Sequence, residues 1–545
     1  MGKLYAYATC VLRPRVVLAS LLVLGMATAS PAAEKRGPDV LVEEVSAAQL
    51  LHELDTGKVT SVALVRAYLD RIARIDRSGP ELHSVISINP DALAQARELD
   101  AERKAGKIRG PLDGLPILIK DNIESRDRMP TTAGSLALED NVTGRDAPAI
   151  ARLRAAGAII LGKTNLSEWA NERDDDSISS WSGIGGLTRN PYVLDRSACG
   201  SSGGTGAAIA ASLGAVGLGT ETDGSVICPA SVNGLVGLKP SIGLVSRTHV
   251  IPISHSQDTI GPMGRSVRDV ALIFSVIVGS DPADPVTRNA DRYRKDYAAM
   301  LSADALRGVR LGVLRPSNMS RLVAQRYEAA LERLRAAGAK LVEVEMPNTD
   351  GMREAELLVF EYEFKAGINA YLASTPASVK TRTLADLIAF NKAHAERELG
   401  LFGQGIFESA DKLGGLDSPG YLAARAKSLA LAKDAGLDVM LKGYHVAALV
   451  APSFPPAAVI DPLQSNLSAS YDLSNMAAIA GYPDLTVPMG LVRGLPVGLS
   501  FVGPAFSDGD LLRYGYAFEA VGQLRKPPHY LSTVPVGDLL QPDRP

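Results

Sequence analysis

Several things that would assign a role quickly are scarce in this chain. Three cysteines in 545 residues are too few for a disulfide scaffold. Seven histidines (His52, His83, His249, His255, His394, His445 and His529) fall in no triad or metal-ligand spacing, so neither a metal nor another cofactor is implied. Neither sign of charge is in excess. The net charge is −3 with no basic stripe, which excludes nucleic acid as a partner, because phosphate binding needs a concentrated positive patch. There is no Pro/Ser/Gly-rich linker and no repeat at a fixed period. A single large domain is therefore preferred to the roughly three domains that length alone suggests.

The chain also lacks an apolar run of the roughly 20 residues that a membrane span requires. Its longest candidate, residues 16–27, follows Lys3, Arg13 and Arg15 and leads into small residues through Ala33. Basic residues, a short apolar stretch and Ala27-Thr28-Ala29 have the pattern of a secretory signal, with further cleavage points at Ala32 and Ala33. The expectation is a cleaved signal over 1–33 and a mature domain over 34–545. The mature chain would be periplasmic or secreted and not stably membrane-associated. A single membrane anchor is the rival reading. Cys10 precedes the apolar run and forms no lipobox.

What the chain does have is concentrated in residues 199–229, CGSSGGTGAAIAASLGAVGLGTETDGSVICP. Such a density of glycine is kept where backbone must pass close to something or adopt positive φ. The small apolar middle, residues 206–213, reads as a helix packed tightly on a sheet, which returns the two polar ends, GSSGG and TETDGS, to one place. Ser225 follows Thr222, Asp223 and Gly224 in a tight turn of successive backbone N–H groups, the material of an oxyanion hole. A serine nucleophile needs a base, and no histidine is placed for it. Upstream, in GPLDGLPILIKDNI, residues 115–119 read as a buried strand with Lys120 at its end. Alone, such a lysine is a strand-end cation that snorkels to water; together with Ser201 and Ser225 it becomes a candidate base.

In this combination the chain resembles the amidase signature family of serine hydrolases. The lysine strand, the GSSGG loop, the GTETDGS turn and the closing PVGLSFVG segment stand in family order, and the resemblance spans residues 45–526. It implies an α/β fold, one large domain with a central mixed sheet covered by helices on both faces. Lys120 would be the family lysine, Ser201 the bridging serine after a cis peptide bond, and Ser225 the nucleophile. The N–H groups of Thr222, Asp223, Gly224 and Ser225 would hold the oxyanion, and Asn171, Ser202 and Gly200 would line the substrate pocket. The TETDGS form, the SEWAN stretch (167–171) and the two mature-chain cysteines are most similar to bacterial peptide amidases, which deamidate peptide C-termini. The implied substrate is a small amide or an amidated peptide. One departure stands out: many members carry Ser-Ile-Arg-x-Pro after the turn, whereas this chain has Ser225-Val226-Ile227-Cys228-Pro229.

Two local strings compete with this reading. Gly157-Ala-Ile-Ile-Leu-Gly162-Lys163-Thr164 spells a P-loop, but its order is inverted: a helical pattern precedes Gly157 and the strand follows it, the reverse of what phosphate wrapping requires. Gly200-Ser201-Ser202-Gly203-Gly204 satisfies the G-x-S-x-G elbow and would make Ser202 the nucleophile of an α/β-hydrolase-like esterase. The elbow needs a strand before its first glycine, and LDRSAC is a poor one. A non-catalytic periplasmic amide- or peptide-binding protein and an amidotransferase subunit are the remaining alternatives. The intact Lys120, Ser201 and Ser225 count against the first, and the export signal and missing arginine against the second. For Cys199 and Cys228 the preferred reading is two small buried thiols, with a disulfide as the alternative. Asp223 reads equally as a partner for the leaving amide or as a cap for the following backbone.

Elsewhere, residues 46–75 read as two helices split at Thr56-Gly57, the first opening with a Ser46/Gln49 capping box. A strand is expected over 84–90 and a helix over 91–105. Beyond the signature, 306–347 reads as strand, helix, strand. Residues 350–435 are mostly helical and would shape the substrate cleft. A hairpin over 491–502 leads to a final helix over 508–521.

Overall fold

The computed structural model describes residues 42–462 and 471–535; the signal peptide expected over 1–33 lies outside them. The described residues carry β1 (Val85–Ile88), β2 (Pro116–Lys120), β3 (Ile159–Thr164), β4 (Trp181–Ser182), β5 (Gly186–Leu187), β6 (Val216–Glu221) and β7 (Val236–Lys239). They continue with β8 (Thr259–Gly264), β9 (Arg310–Val313), β10 (Lys340–Glu343), β11 (Ala448–Pro452), β12 (Asp484–Val492) and β13 (Leu495–Val502). Eleven of these form one sheet in the order β1-β3-β2-β6-β8-β7-β12-β13-β11-β9-β10, and β4 and β5 pair separately. The large sheet is mixed. Its β3-β2-β6 and β10-β9-β11 segments are parallel, and the remaining pairs are antiparallel.

β2, β3, β6, β7, β8 and β11 are buried at every position. Strands of this kind need cover on both faces, which is why they read as unbroken apolar runs and not as alternating ones. The helix Gly203–Ala210 shows how tight that cover is: Thr205 Oγ1 lies 2.7 Å from Thr164 Oγ1 and donates to the Leu218 carbonyl at 3.2 Å. It starts three residues earlier than the apolar stretch at 206–213 suggests, because glycines as well as alanines fit against the sheet.

Most other expectations hold to within a few residues. The helices Ala47–Asp55 and Ser61–Arg71 are separated at Thr56-Gly57. Ser46 accepts from the Gln49 N–H, but the Gln49 side chain turns to Glu53, so only half of the capping box forms. The helix Pro148–Ala155 is followed by Gly157 at φ +90° and then β3, so the GKT of the P-loop string lies inside a strand. Lys163 there is fully buried, donating to the Ile123 carbonyl at 3.0 Å and to Thr131. β12 and β13 are joined by Arg493 and Gly494, both at positive φ, as a two-residue hairpin turn requires.

β13 also anchors the core away from the β2 and β6 ends. Phe501 is fully buried there against Phe518 of the helix Asp508–Ala520, with ring centroids 6.2 Å apart. Removing a buried aromatic ring from a packed core costs about 3–5 kcal/mol. Phe501→Ala is expected to lower the urea midpoint by a corresponding amount, measured by intrinsic fluorescence and circular dichroism.

Candidate active site

β3, β2 and β6 run parallel, so their carboxyl ends face the same edge of the sheet, where open α/β sheets place their sites. β2 ends on Lys120, β3 leads into Ser167–Asn171, and β6 leads through Thr222 into Ser225. The GSSGG loop enters the helix Gly203–Ala210 beside them.

Lys120 is completely buried. Its Nζ lies 2.7 Å from Ser201 Oγ, 2.8 Å from Thr220 Oγ1 and 3.3 Å from the Thr220 carbonyl, with no carboxylate of the described residues in hydrogen-bond range. Burial brings its pKa down to about 7 against opposing pulls from Asp258 and Glu221. That change corresponds to about 5 kcal/mol in favour of the neutral amine. Asp121, the next residue, points to the other side as strand alternation requires. It accepts from the Thr132 N–H at 3.2 Å and from the Thr132 hydroxyl, and it lies 3.6 Å from Lys163.

The Gly200–Ser201 peptide bond is cis. A side chain at Gly200 would collide with Ser167 Oγ, and the Ser167 N–H donates to the Ser201 carbonyl at 3.0 Å. The next peptide ties this loop to the turn: the Ser202 N–H donates to the Ser225 carbonyl at 3.2 Å. The Lys120 amine thus meets the Ser201 hydroxyl, and the backbone of the Ser225 turn is tied to the same loop. Ser225 is 6% exposed, and its hydroxyl has no hydrogen-bond partner among the described residues.

Among the described residues, the backbone N–H groups of Thr222, Asp223, Gly224 and Ser225 donate to no protein acceptor. The next two, Val226 and Ile227, donate to Glu221 Oε2 at 2.6 and 2.9 Å. Glu221 thereby folds the turn and caps the helix Ile227–Val232. Gly224 adopts φ +76°, and a Cβ there would sit 2.9 Å from Phe454 Cζ, so the position admits only glycine. The turn is held from behind by Asp258, which accepts from Thr222 Oγ1 at 2.6 Å, and by Gln257, which donates to the Thr222 carbonyl at 3.3 Å.

Three sequence readings are corrected. Ser202 is fully buried, and its hydroxyl donates to the Thr220 carbonyl at 3.1 Å, so its side chain braces β6 and does not face a pocket. No strand precedes Gly200, and no histidine ring bonds Ser202, so the nucleophile-elbow alternative has neither its geometry nor its base. Asp223 does not cap the following backbone: its Oδ2 accepts from Arg353 Nη1 at 2.6 Å and from Asn475 Nδ2 at 3.1 Å. Cys199 and Cys228 are not free thiols but a disulfide with Cα atoms 6.0 Å apart. It staples the Ser201 loop to the helix after Ser225. Gly200 and Asn171 both remain partly exposed, and Asn171 adopts φ +78° with a buried, unpartnered Oδ1.

Thr220, Glu221, Asp258, Arg353 and Glu356 carry no motif of their own and were not identified as site residues. Thr220 and Glu221 fall within the GTETDGS string. Asp258 stands directly before β8, and nothing local marks it as a site residue. Nothing local marks Arg353 and Glu356.

A buried amine beside a cis-linked serine, on a mixed α/β sheet and next to a serine in a turn of free amides, defines a class: hydrolases that act on amide C–N bonds. The chain belongs to the Amidase family, whose model matches residues 63–512. It is 37% identical over 532 residues to a probable amidase of Arabidopsis thaliana, spanning 95% of this chain and 97% of that one. The native peptide amidase from Stenotrophomonas maltophilia superposes with a TM-score of 0.86 at 49% identity, covering 89% of this chain and 99% of that one. A structure of the peptide amidase PAM with the competitive inhibitor chymostatin gives a TM-score of 0.87 at the same identity, covering 89% and 99%.

The disulfide makes a countable prediction. In denaturant without reductant, Ellman's reagent should find only Cys10 in a chain that retains it and no thiol in one that begins after residue 33. Two further thiols should appear on reduction.

Proposed function

We propose that this amidase hydrolyses carboxamides through an acyl-enzyme on Ser225, with Ser201 and Lys120 as the proton relay. The observation that carries the reading is the Lys120 amine 2.7 Å from Ser201 Oγ, buried and free of any carboxylate partner. With a pKa brought down to about 7, this amine has a lone pair available near neutral pH. General-base efficiency is greatest when the base's pKa lies near the working pH.

The Ser225 oxygen attacks the amide carbon while its proton passes to Ser201 and the Ser201 proton to Lys120. The carbonyl π electrons move onto oxygen, and the N–H groups of Thr222 to Ser225 receive that negative charge. Collapse breaks the C–N bond as the relay returns the proton through Ser201 to the leaving nitrogen, which departs as ammonia. Water then attacks the Ser225 ester, giving its proton to the same relay. Loss of the serine oxygen, reprotonated by the relay, leaves the carboxylic acid and the starting enzyme. The preferred substrates are the C-terminal amides of peptides or amino-acid amides. The S. maltophilia peptide amidase at 49% identity supports that choice.

Export belongs to the same proposal. Residues 1–33 act as a cleaved signal and the enzyme works in the periplasm or outside the cell. The Cys199–Cys228 disulfide supports this, because such bonds persist in oxidising compartments. Mass spectrometry of the secreted or periplasmic chain should find a new N-terminus near Ala32 or Ala33; an intact Met1 there would overturn the export reading.

Ser225→Ala and Lys120→Ala should each lower ammonia release from an amidated dipeptide by at least about a thousandfold, with unchanged circular dichroism. Wild-type rate in Ser225→Ala would overturn the nucleophile. For the relay, the base acts as the neutral amine, so kcat/KM should rise about tenfold per pH unit below 7 and level off above it. A profile flat between pH 5.5 and 8 would remove Lys120 as the base.

A further inference from the structure

Beside the nucleophile turn lies a set of hydrogen-bond acceptors without donors. Trp169, Ala170 and Asn171 adopt three successive left-handed conformations, closed by the Glu172 N–H donating to the Trp169 carbonyl at 3.1 Å. Ala170 shares the lining of a small cavity with Thr222 and Asp258, which places this segment against the Ser225 turn. Asn171 Oδ1 is buried without a partner. Glu172 is 8% exposed, and among the described residues its carboxyl has no hydrogen bond or ion pair.

A carboxyl in that position is costly unless something pairs with it. Burial, with Glu361, Asp258 and Asp175 nearby, pushes Glu172 up to about 8, and only Arg353 pulls it down. Arg353 directs its Nη1 to Asp223 and to Glu356, both at 2.6 Å, and makes no hydrogen bond to Glu172. The wall therefore sets one guanidinium against three carboxyl groups, and Glu172 is the one left over. Two adjacent acceptors lacking donors, among carboxyl groups that outnumber the one guanidinium, suit a group that is cationic and rich in N–H, whose arrival favours the ionised form of Glu172.

Resting on the amidase reading, we infer that Glu172, with Asn171 beside it, receives an ammonium group on the acyl part of the substrate. The enzyme then prefers carboxamides carrying a positive charge over neutral ones of the same size. The charge has two possible sources, the free α-amine of an amino-acid amide or the side chain of a basic residue.

Ammonia release at pH 7 from three compounds separates these. N-acetyl-norleucinamide is the neutral reference, norleucinamide adds an α-ammonium, and N-acetyl-lysinamide adds a side-chain ammonium. In the wild type, kcat/KM for at least one cationic compound should exceed the reference by tenfold or more, and the preferred compound identifies the source. In Glu172→Gln that ratio should fall at least tenfold, through KM and not kcat. Turnover of the reference with no cationic preference in the wild type, or a ratio that Glu172→Gln leaves unchanged, overturns this inference and leaves the amidase reading standing. No ammonia from any of the three overturns the amidase reading and this inference with it.

Discussion

The chemistry available to this chain depends on an amine buried without a counter-ion. Lys120 sits at the end of a strand buried at every position, and its nearest polar neighbours are the hydroxyls of Ser201 and Thr220 and one carbonyl. Holding that amine neutral is a desolvation effect, because acids that would restore its charge act only at a distance. Strand alternation does much of this work by sending Asp121 to the opposite side, into the company of Thr132 and Lys163. A one-residue slip of β2 would bring the carboxylate where the amine stands.

Ser201 reaches that amine, and the Ser225 turn lies alongside its loop, because three parallel strands end at the same edge and several restraints hold the two loops together. The Ser202 N–H bonds the Ser225 carbonyl, Glu221 caps the helix after the turn, and the Cys199–Cys228 disulfide closes the ring that contains both serines. Glu221 is itself buried, pushed up to about 7 by desolvation, with Lys239 drawing it down. The turn of free amides is therefore built in advance of any substrate. Preorganisation of this kind lets donors stabilise a developing oxyanion without first reorganising.

Two strings in the chain fit the letter of well-known motifs and fail on topology. The GKT of residues 162–164 is strand, with Lys163 sealed beneath the sheet surface, so no phosphate reaches it. Ser202 has the spacing of an elbow nucleophile, but its hydroxyl is spent on the Thr220 carbonyl. In both cases the residue types are right and the direction of the backbone is wrong. The surrounding order of helix and strand was visible in sequence and sufficed to reject the first string and to doubt the second.

The elements themselves were largely legible, because apolar runs bounded by glycine and proline dictate strands such as β2 and β3, and 3.6-residue periodicity dictates helices such as Ser61–Arg71. So was the contact of Lys120 with Ser201, since a lysine at a strand end and a serine in a glycine-rich loop are local signals. What the chain alone left open was decided by contacts across long separations. Arg353 meets Asp223 from 130 residues away and holds its carboxylate away from the backbone it was expected to cap. Oxidation of Cys199 and Cys228 turned on how the Ser201 loop meets the helix after Ser225, which spacing in the chain does not determine. Local preference writes itself into neighbouring residues, whereas the pairing of distant charges and thiols exists only once the sheet has closed around them.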